Sequence, residues 1–284
     1  MKEDIRYLGI WMLSVLAAIA NSAGAGECRT AFDMEIQLPY LEESPEIDGD
    51  LSEWREFAHH DGIWDIHRLK HTNWFEPHRN RLTDHGDEPS PENDLSARYY
   101  MAWDEDWIYL GAEVRDNRND VEESRHEPKR WYYKDAICWF IEAPRDEVSE
   151  LFGQGDNAFC FVIDPSYPDY GAWWRHGDEN STYIEEPIPV DAVEYRIRMN
   201  PLGESPGDFI LEAKVRMEAT FGASDSNWRA PRLGDVYSVE IVHTDPDGGE
   251  YGGHFIIYGT GDDDASWAKL VLDGPKVPLG REEK

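Results

Sequence analysis

The stretch Arg98-Tyr99-Tyr100-Met101-Ala102-Trp103-Asp104-Glu105-Asp106-Trp107-Ile108-Tyr109-Leu110-Gly111-Ala112-Glu113-Val114 decides the fold class. Apolar residues alternate along its second half, so Ile108, Leu110, Ala112 and Val114 share one face of a strand. Arg98–Trp103 reads as the strand before it, and Asp104-Glu105-Asp106 is the polar turn of a hairpin. The same period of two runs outward from about Glu35. Ala136–Glu142 turns Ile137, Trp139 and Ile141 inward. Ala158–Ile163, Glu194–Met199, Phe209–Met217, Val236–His243, His254–Thr260 and Trp267–Leu272 alternate likewise. The linkers are rich in Gly, Pro and Asp, and no amphipathic helix separates the strands. The chain is therefore all-β, a sandwich or a barrel.

Two stretches break the rhythm and read as inserts without strands. Residues 59–94 are polar and hold His59, His60, His67, His71, His78 and His85. Residues 165–189 contain Tyr167, Tyr170, Trp173 and Trp174. Long irregular loops in compact domains are usually functional or disordered.

Composition narrows the function classes. A hydrophobic content of 40% and an aromatic content of 13% are enough for a core, and 12 Trp with 14 Tyr are many for this length. Large flat rings also build ligand platforms. The formal charge is -32, from 59 acidic and 27 basic residues. Such a surface repels nucleic acid and anionic membranes, which are poor partners for it. Ile10–Ala20 is an apolar run followed by the small-residue site Ala23-Gly24-Ala25. It reads as a signal peptide over 1–25, with a secreted or periplasmic mature protein. An uncleaved anchor is the alternative. The domain then spans 26–273, and 274–284 is a tail. An oxidising compartment lets two of the three cysteines, Cys28, Cys138 and Cys160, pair.

Six pieces in order resemble the family 9 carbohydrate-binding modules, which are DOMON-like β-sandwiches associated with xylanases. They are Ile47-Asp48-Gly49-Asp50-Leu51-Ser52-Glu53-Trp54, Ala102–Leu110, Val114-Arg115-Asp116, Asp135-Ala136-Ile137-Cys138-Trp139-Phe140-Ile141-Glu142, Phe209–Val215 and Gly234–Asp247. The resemblance implies an antiparallel β-sandwich and a glycan or polysaccharide ligand. It also implies work beside glycoside hydrolases in polysaccharide catabolism. The family grips a terminal sugar between two Trp rings, helped by a glutamate and an arginine. The first ring's place falls on Tyr132, beside Trp131. The second precedes the last strand, where this chain has Gly261-Asp262-Asp263-Asp264-Ala265, and Trp267 reads as part of the strand itself. The glutamate and arginine places fall on Cys138 and Cys160. On the family's successive antiparallel strands these face each other, which implies a disulfide; two separate buried thiols are the alternative.

Sugar recognition needs flat aromatic faces and planar polar groups. Trp131, Tyr132, Trp173, Trp174 and Arg175 form the candidate set, placed in loops by this reading; ordinary loop packing is the alternative. Calcium takes six to eight oxygen ligands. Asp104, Asp106, Asp116, Asp245 and Asp247 are the candidates, with Asp262-Asp263-Asp264 behind them, although solvated turn aspartates look the same in sequence. His67 and His71, four apart, would share a helix face and could start a transition-metal site, but no spacing fixes a third ligand. No G-x-S-x-G, HExxH or phosphate-loop pattern occurs. The expectation is an exported, non-catalytic carbohydrate-binding protein requiring no cofactor beyond structural calcium. The rivals are a haem-binding electron-transfer protein using Met101 as an axial ligand, and a metal-dependent hydrolase built on the histidine insert.

Overall fold

A computed structural model describes residues 35–63, 73–76, 81–83, 95–119, 131–146, 148, 153–164, 171–178, 183–201, 203–245, 253–259, 263–274 and 276–277. The apolar run at the N-terminus and Cys28 lie outside them. The strands in chain order are β1 Glu35–Gln37, β2 Tyr40–Leu41, β3 His59–Ile63, β4 Asn73–Glu76, β5 Arg81–Thr83, β6 Leu95–Trp103, β7 Trp107–Asp116 and β8 Ala136–Glu142. Then come β9 Asp156–Val162, β10 Ala172–His176, β11 Ile184–Pro187, β12 Val193–Met199, β13 Phe209–Arg216, β14 Val236–Asp245, β15 Gly253–Ile256, β16 Ala268–Val271 and β17 Lys276–Val277. The larger sheet runs β11-β10-β9-β8-β14-β15-β4-β5, with β16 on β14 and β1 on β16. The smaller runs β12-β13-β7-β6-β2-β17, with β3 also on β6. Pairing is antiparallel apart from β1 with β16, β17 with β2, and β2 with β6.

The two sheets stack through the residues that alternation turns inward. Ile137, Trp139, Ile141, Phe159, Phe161, Val239 and Ile241 of the larger sheet meet Ile108, Leu110, Ala112, Val114, Leu211 and Ala213 of the smaller. A polar pair is buried there, the Tyr99 hydroxyl against His243 Nδ1 at 2.7 Å. Burial pushes the His243 pKa down to about 3, so the imidazole is neutral and the pair costs little.

The segment from Ile47 to Trp54 caps the outer face of the smaller sheet, and its residues explain one another. Gly49 takes φ +87, a conformation other residues resist. The Asp50 side chain accepts from Ser52 N–H at 3.0 Å and starts a 3-10 turn over Leu51–Glu53. Trp54 is then laid on the sheet, where its Nε1 donates to Glu212 at 2.8 Å. The N–H groups of Asp48 and Gly49 donate to the same carboxylate at 3.0 and 2.8 Å. Gly111 lies beneath, and a Cβ there would stand 2.9 Å from Leu51 and 3.2 Å from Trp54.

Both presumed inserts contribute strands. Residues 59–94 supply β3, β4 and β5, and 165–189 supply β10 and β11. Several are short or lie toward the ends of the sheets, where polar residues are tolerated and the period-two signal fades. His59 and His60 pair in register with Met101 and Tyr100. His67, His71, His78 and His85 lie outside the described residues. Met101 is packed in the core between the sheets, which removes it as an exposed axial ligand.

Candidate functional site

The outer face of the larger sheet carries the candidate site. Alternation puts Cys138, Phe140 and Glu142 of β8 on that face, and register sets Cys160, Ala158 and Asp156 of β9 opposite them. The next strand, β10, adds Trp173 beside Cys160 and Arg175 beside Ala158. Glu185 on β11 faces Arg175. A 3-10 turn over Trp131–Tyr133 leads into β8 and drops both leading rings onto the same surface.

The result is an aromatic cluster on the side of the sheet away from the core. Trp131 meets Tyr132 edge-on at 5.6 Å and His254 at 5.8 Å. Arg175 lies 6.0 Å from the Trp131 ring and 4.7 Å from Tyr183. Its Nε donates to Glu185 at 2.9 Å, and Nη2 makes a second, shorter bond to the same oxygen. Burial opposes the guanidinium charge, but the Glu185 carboxylate more than offsets it and holds the pKa above its usual value. Tyr132, Trp173 and Tyr183 are half-buried, and so present ring surface to solvent. The buried Nε1 atoms of Trp131 and Trp173 have no hydrogen-bond acceptor among the described residues. Buried donors of this kind are uncommon in folded chains.

Four of the five expected sugar-binding residues, Trp131, Tyr132, Trp173 and Arg175, converge here. Trp174 does not. Trp173, Trp174 and Arg175 lie on a strand rather than in a loop, and alternation turns Trp174 inward. It is 3% exposed, stacks on His176 at 4.0 Å, and donates to Asn157 Oδ1 at 3.0 Å. Phe140, Tyr183, Glu185 and His254 join the cluster unforeseen. The alternation of β8 contained the signal for Phe140. Tyr183 and Glu185 had none, since Ile184–Pro187 shows no alternation. Trp267 ends the 3-10 turn Asp264–Ser266 just ahead of β16, instead of lying within the strand. Trp131 and Trp267 both contact Phe140 edge-on, at 6.4 and 5.7 Å, so a phenyl ring stands between the two indoles.

Cys138 and Cys160 are direct cross-strand partners at the floor of the face. Ile163 N–H bonds the Asp135 carbonyl at 2.8 Å, which sets the ladder phase and makes the cysteines a non-hydrogen-bonded pair. Such pairs sit about 4.5 Å apart at Cα, at the short end of disulfide range. In this structure the two thiols hydrogen-bond each other. Burial, with the neighbouring thiol second, pushes the Cys138 pKa well up.

The calcium candidates divide. Asp116 and Asp245 come together with Asp135, an unforeseen third member, their ligand oxygens all within 4.8 Å and all three residues buried. Asp135 and Asp245 are opposite each other at the ends of β8 and β14, and Asp116 comes from the smaller sheet. Asn119 donates to Asp135 at 3.0 Å, and Arg118 N–H to Asp116 at 2.8 Å. Asp104 and Asp106 are at the other end of β7, a ten-residue strand, and cannot join this group. Asp104 instead accepts from the N–H groups of Asp106 and Trp107 and from the Tyr109 hydroxyl. Asp247 lies outside the described residues. In a second buried group, Glu142, Asp156 and Asp264, the carboxylate oxygens also lie within 4.8 Å of one another. Burial raises Glu142 to about 7 and Asp156 to about 8, with the Asp264 charge adding to the latter.

No family model matches the sequence, and no characterised protein matches it closely enough to count. Solved structures do resemble the fold. A family 9 carbohydrate-binding module from Caldicellulosiruptor kristjanssonii, in complex with glucose, aligns with a TM-score of 0.55 at 14% identity, covering 87% of this chain and 99% of that one. A family 9 module from the same organism, in complex with cellotriose, gives 0.54 at 13%, covering 85% and 95%. A protein from Bacteroides uniformis ATCC 8492 gives 0.52 at 10%, covering 83% and 96%. This chain has the fold of the family 9 carbohydrate-binding modules, a two-sheet β-sandwich.

Proposed function

We propose that this chain is an exported, non-catalytic glycan-binding protein whose ligand rests on the outer face of the larger sheet. The observation that carries the reading is the cluster of Trp131, Tyr132, Trp173 and Tyr183 around the Arg175–Glu185 pair. Half-buried rings stack on the apolar face of a pyranose, and the Glu185 carboxylate suits its hydroxyls. Structures of the same fold hold glucose and cellotriose, which supports a neutral saccharide. Phe140 occupies the space between Trp131 and Trp267, so the sugar stacks on Trp173 and Tyr132 rather than between those two indoles. Each stacking contact is worth roughly 1 kcal/mol, and affinity is therefore modest. Action beside glycoside hydrolases in polysaccharide breakdown is the setting this implies.

Structural calcium belongs to the same reading, at Asp116, Asp135 and Asp245. Three buried carboxylates from two sheets are hard oxygen donors of the kind Ca²⁺ takes, and their mutual repulsion would be relieved by the cation. Titration of cellotriose and a broad glycan array into wild type and Trp173→Ala tests the sugar assignment. Binding lost in Trp173→Ala with the fold intact is expected. Absence of binding across the array by the intact protein would refute it.

A further inference from the structure

The smaller sheet ends in β12, which among the described residues pairs with β13 alone. β12 runs seven residues, Val193–Met199, in unbroken antiparallel register with β13. The strands β1, β5, β11 and β17, which also lie at sheet edges, have four residues or fewer. Exposed strand edges are templates for further pairing, and proteins commonly blunt them with proline, a bulge or a very short strand. β12 has none of these.

Two bonds fix which backbone groups point outward. Arg216 N–H donates to the Ala192 carbonyl at 2.8 Å, and Asn200 N–H to that of Asp208 at 2.6 Å. The even-numbered residues of β12 therefore turn their N–H and C=O groups toward β13, and the odd-numbered ones turn theirs out. Those of Val193 and Ile197 have no partner among the described residues. Both side chains are half-buried, whereas Glu194, Arg196 and Arg198 stand exposed on the outer face. Glu194 meets Lys214 through Oε2 at 2.9 Å, which leaves Oε1 available. Arg196 Nη1 donates to the Tyr195 carbonyl at 2.8 Å, so its guanidinium lies along the open edge. Val190, in the turn that feeds the strand, is 94% exposed.

We infer that β12 is a homodimer seam, pairing antiparallel with β12 of a second copy of this chain. The charges select both the partner and the register. A two-fold axis sets one residue opposite itself. With the axis at Tyr195, Glu194 faces the partner's Arg196, and by symmetry the pair occurs twice. Val193 then faces the partner's Ile197, and these residues exchange four backbone bonds across the seam. An axis at Glu194, Arg196 or Arg198 would oppose like charges directly. One at Ile197 would set Arg196 against the partner's Arg198, and one at either end would leave almost no overlap. The formal charge of -32 opposes association at long range. Screening beyond about 8 Å at physiological salt limits that repulsion, and this strip carries two arginines to one glutamate. The seam is independent of the glycan face on the other sheet.

The test is sedimentation velocity of the purified protein at physiological salt, from low-micromolar to submillimolar concentration. A monomer–dimer equilibrium is expected within that range. Arg196→Glu should weaken the dimer about tenfold or more, because two opposed pairs become like-charge pairs. The swap Glu194→Arg/Arg196→Glu should restore it, since the same pairs return with their signs exchanged. Val193→Pro should also weaken it, because it removes an outward N–H and no bond to β13. In wild type, deuterium exchange at the Val193 and Ile197 amides should slow as concentration rises through the dimer midpoint. Exchange at Glu194 and Arg196, already bonded to β13, should change less. The inference is overturned by a monomer at every concentration, by assembly beyond two copies, by full dimerisation of Arg196→Glu, or by a folded swap variant that stays monomeric. If the variants melt early, wild-type exchange decides: Val193 and Ile197 amides indifferent to concentration overturn it.

Discussion

Two adjacent tryptophans provide the sharpest test of the architecture. Trp173 and Trp174 differ by one position on β10, and a period of two sends them to opposite faces. Trp174→Ala empties a core site that is 3% exposed. Truncations of this size cost about 3–5 kcal/mol. They also remove the indole N–H that bonds Asn157 Oδ1 at 3.0 Å and the ring stacked on His176. Ser224 Oγ still lies 3.1 Å from Asn157 Oδ1, so the hydrogen-bond loss adds only about 1 kcal/mol. A total near 5 kcal/mol corresponds to a melting temperature lower by about 10–20 °C. Trp173→Ala removes a half-buried ring from the outer face, with a cost of about 1–2 kcal/mol. Urea denaturation with thermal melting, alongside glycan titration, separates the two. Trp174→Ala should lose stability and, while folded, still bind; Trp173→Ala should do the reverse. Equal stability losses, or loss of binding in a folded Trp174→Ala protein, would refute the assignment of faces.

Calcium should raise the melting temperature and EDTA lower it, and Asp135→Asn should abolish the difference; an identical melt with and without calcium in wild type would count against the Asp116–Asp135–Asp245 site. Cys138 and Cys160 should cross-link when the protein matures under oxidising conditions, since their register already places them opposite each other. Non-reducing peptide mapping detects the bond, a gain of about 3 kcal/mol over the reduced form is expected, and recovery of both thiols after export would reject it. His254 is buried, and burial depresses its pKa to about 4. The unfolded chain therefore binds the proton first, so stability is full above about pH 6.5 and is lost as pH falls toward 4. Melts across that window should show a shallower acid slope for His254→Gln than for wild type.

The strands with strong alternation were legible in the sequence because each is buried on at least one face. The hairpin from Arg98 to Val114, the inward set Ile137, Trp139 and Ile141, and the fold resemblance all rest on that burial. The pairing of position 138 with position 160 was legible too, once successive strands were taken as neighbours. The placement of Trp174 was not, because Ala172–His176 is a five-residue strand inside a segment without regular alternation. Only hydrogen bonding to β9 fixed its phase. Asp116, Asp135 and Asp245 are each ordinary acidic positions in sequence, and nothing local unites the first two with Asp245, more than a hundred positions on. The stacking of two sheets brings those strand ends together. Sequence determined which residues alternate, and therefore the fold; the sheet order, a property of long-range pairing, decided which carboxylates, rings and guanidinium groups meet.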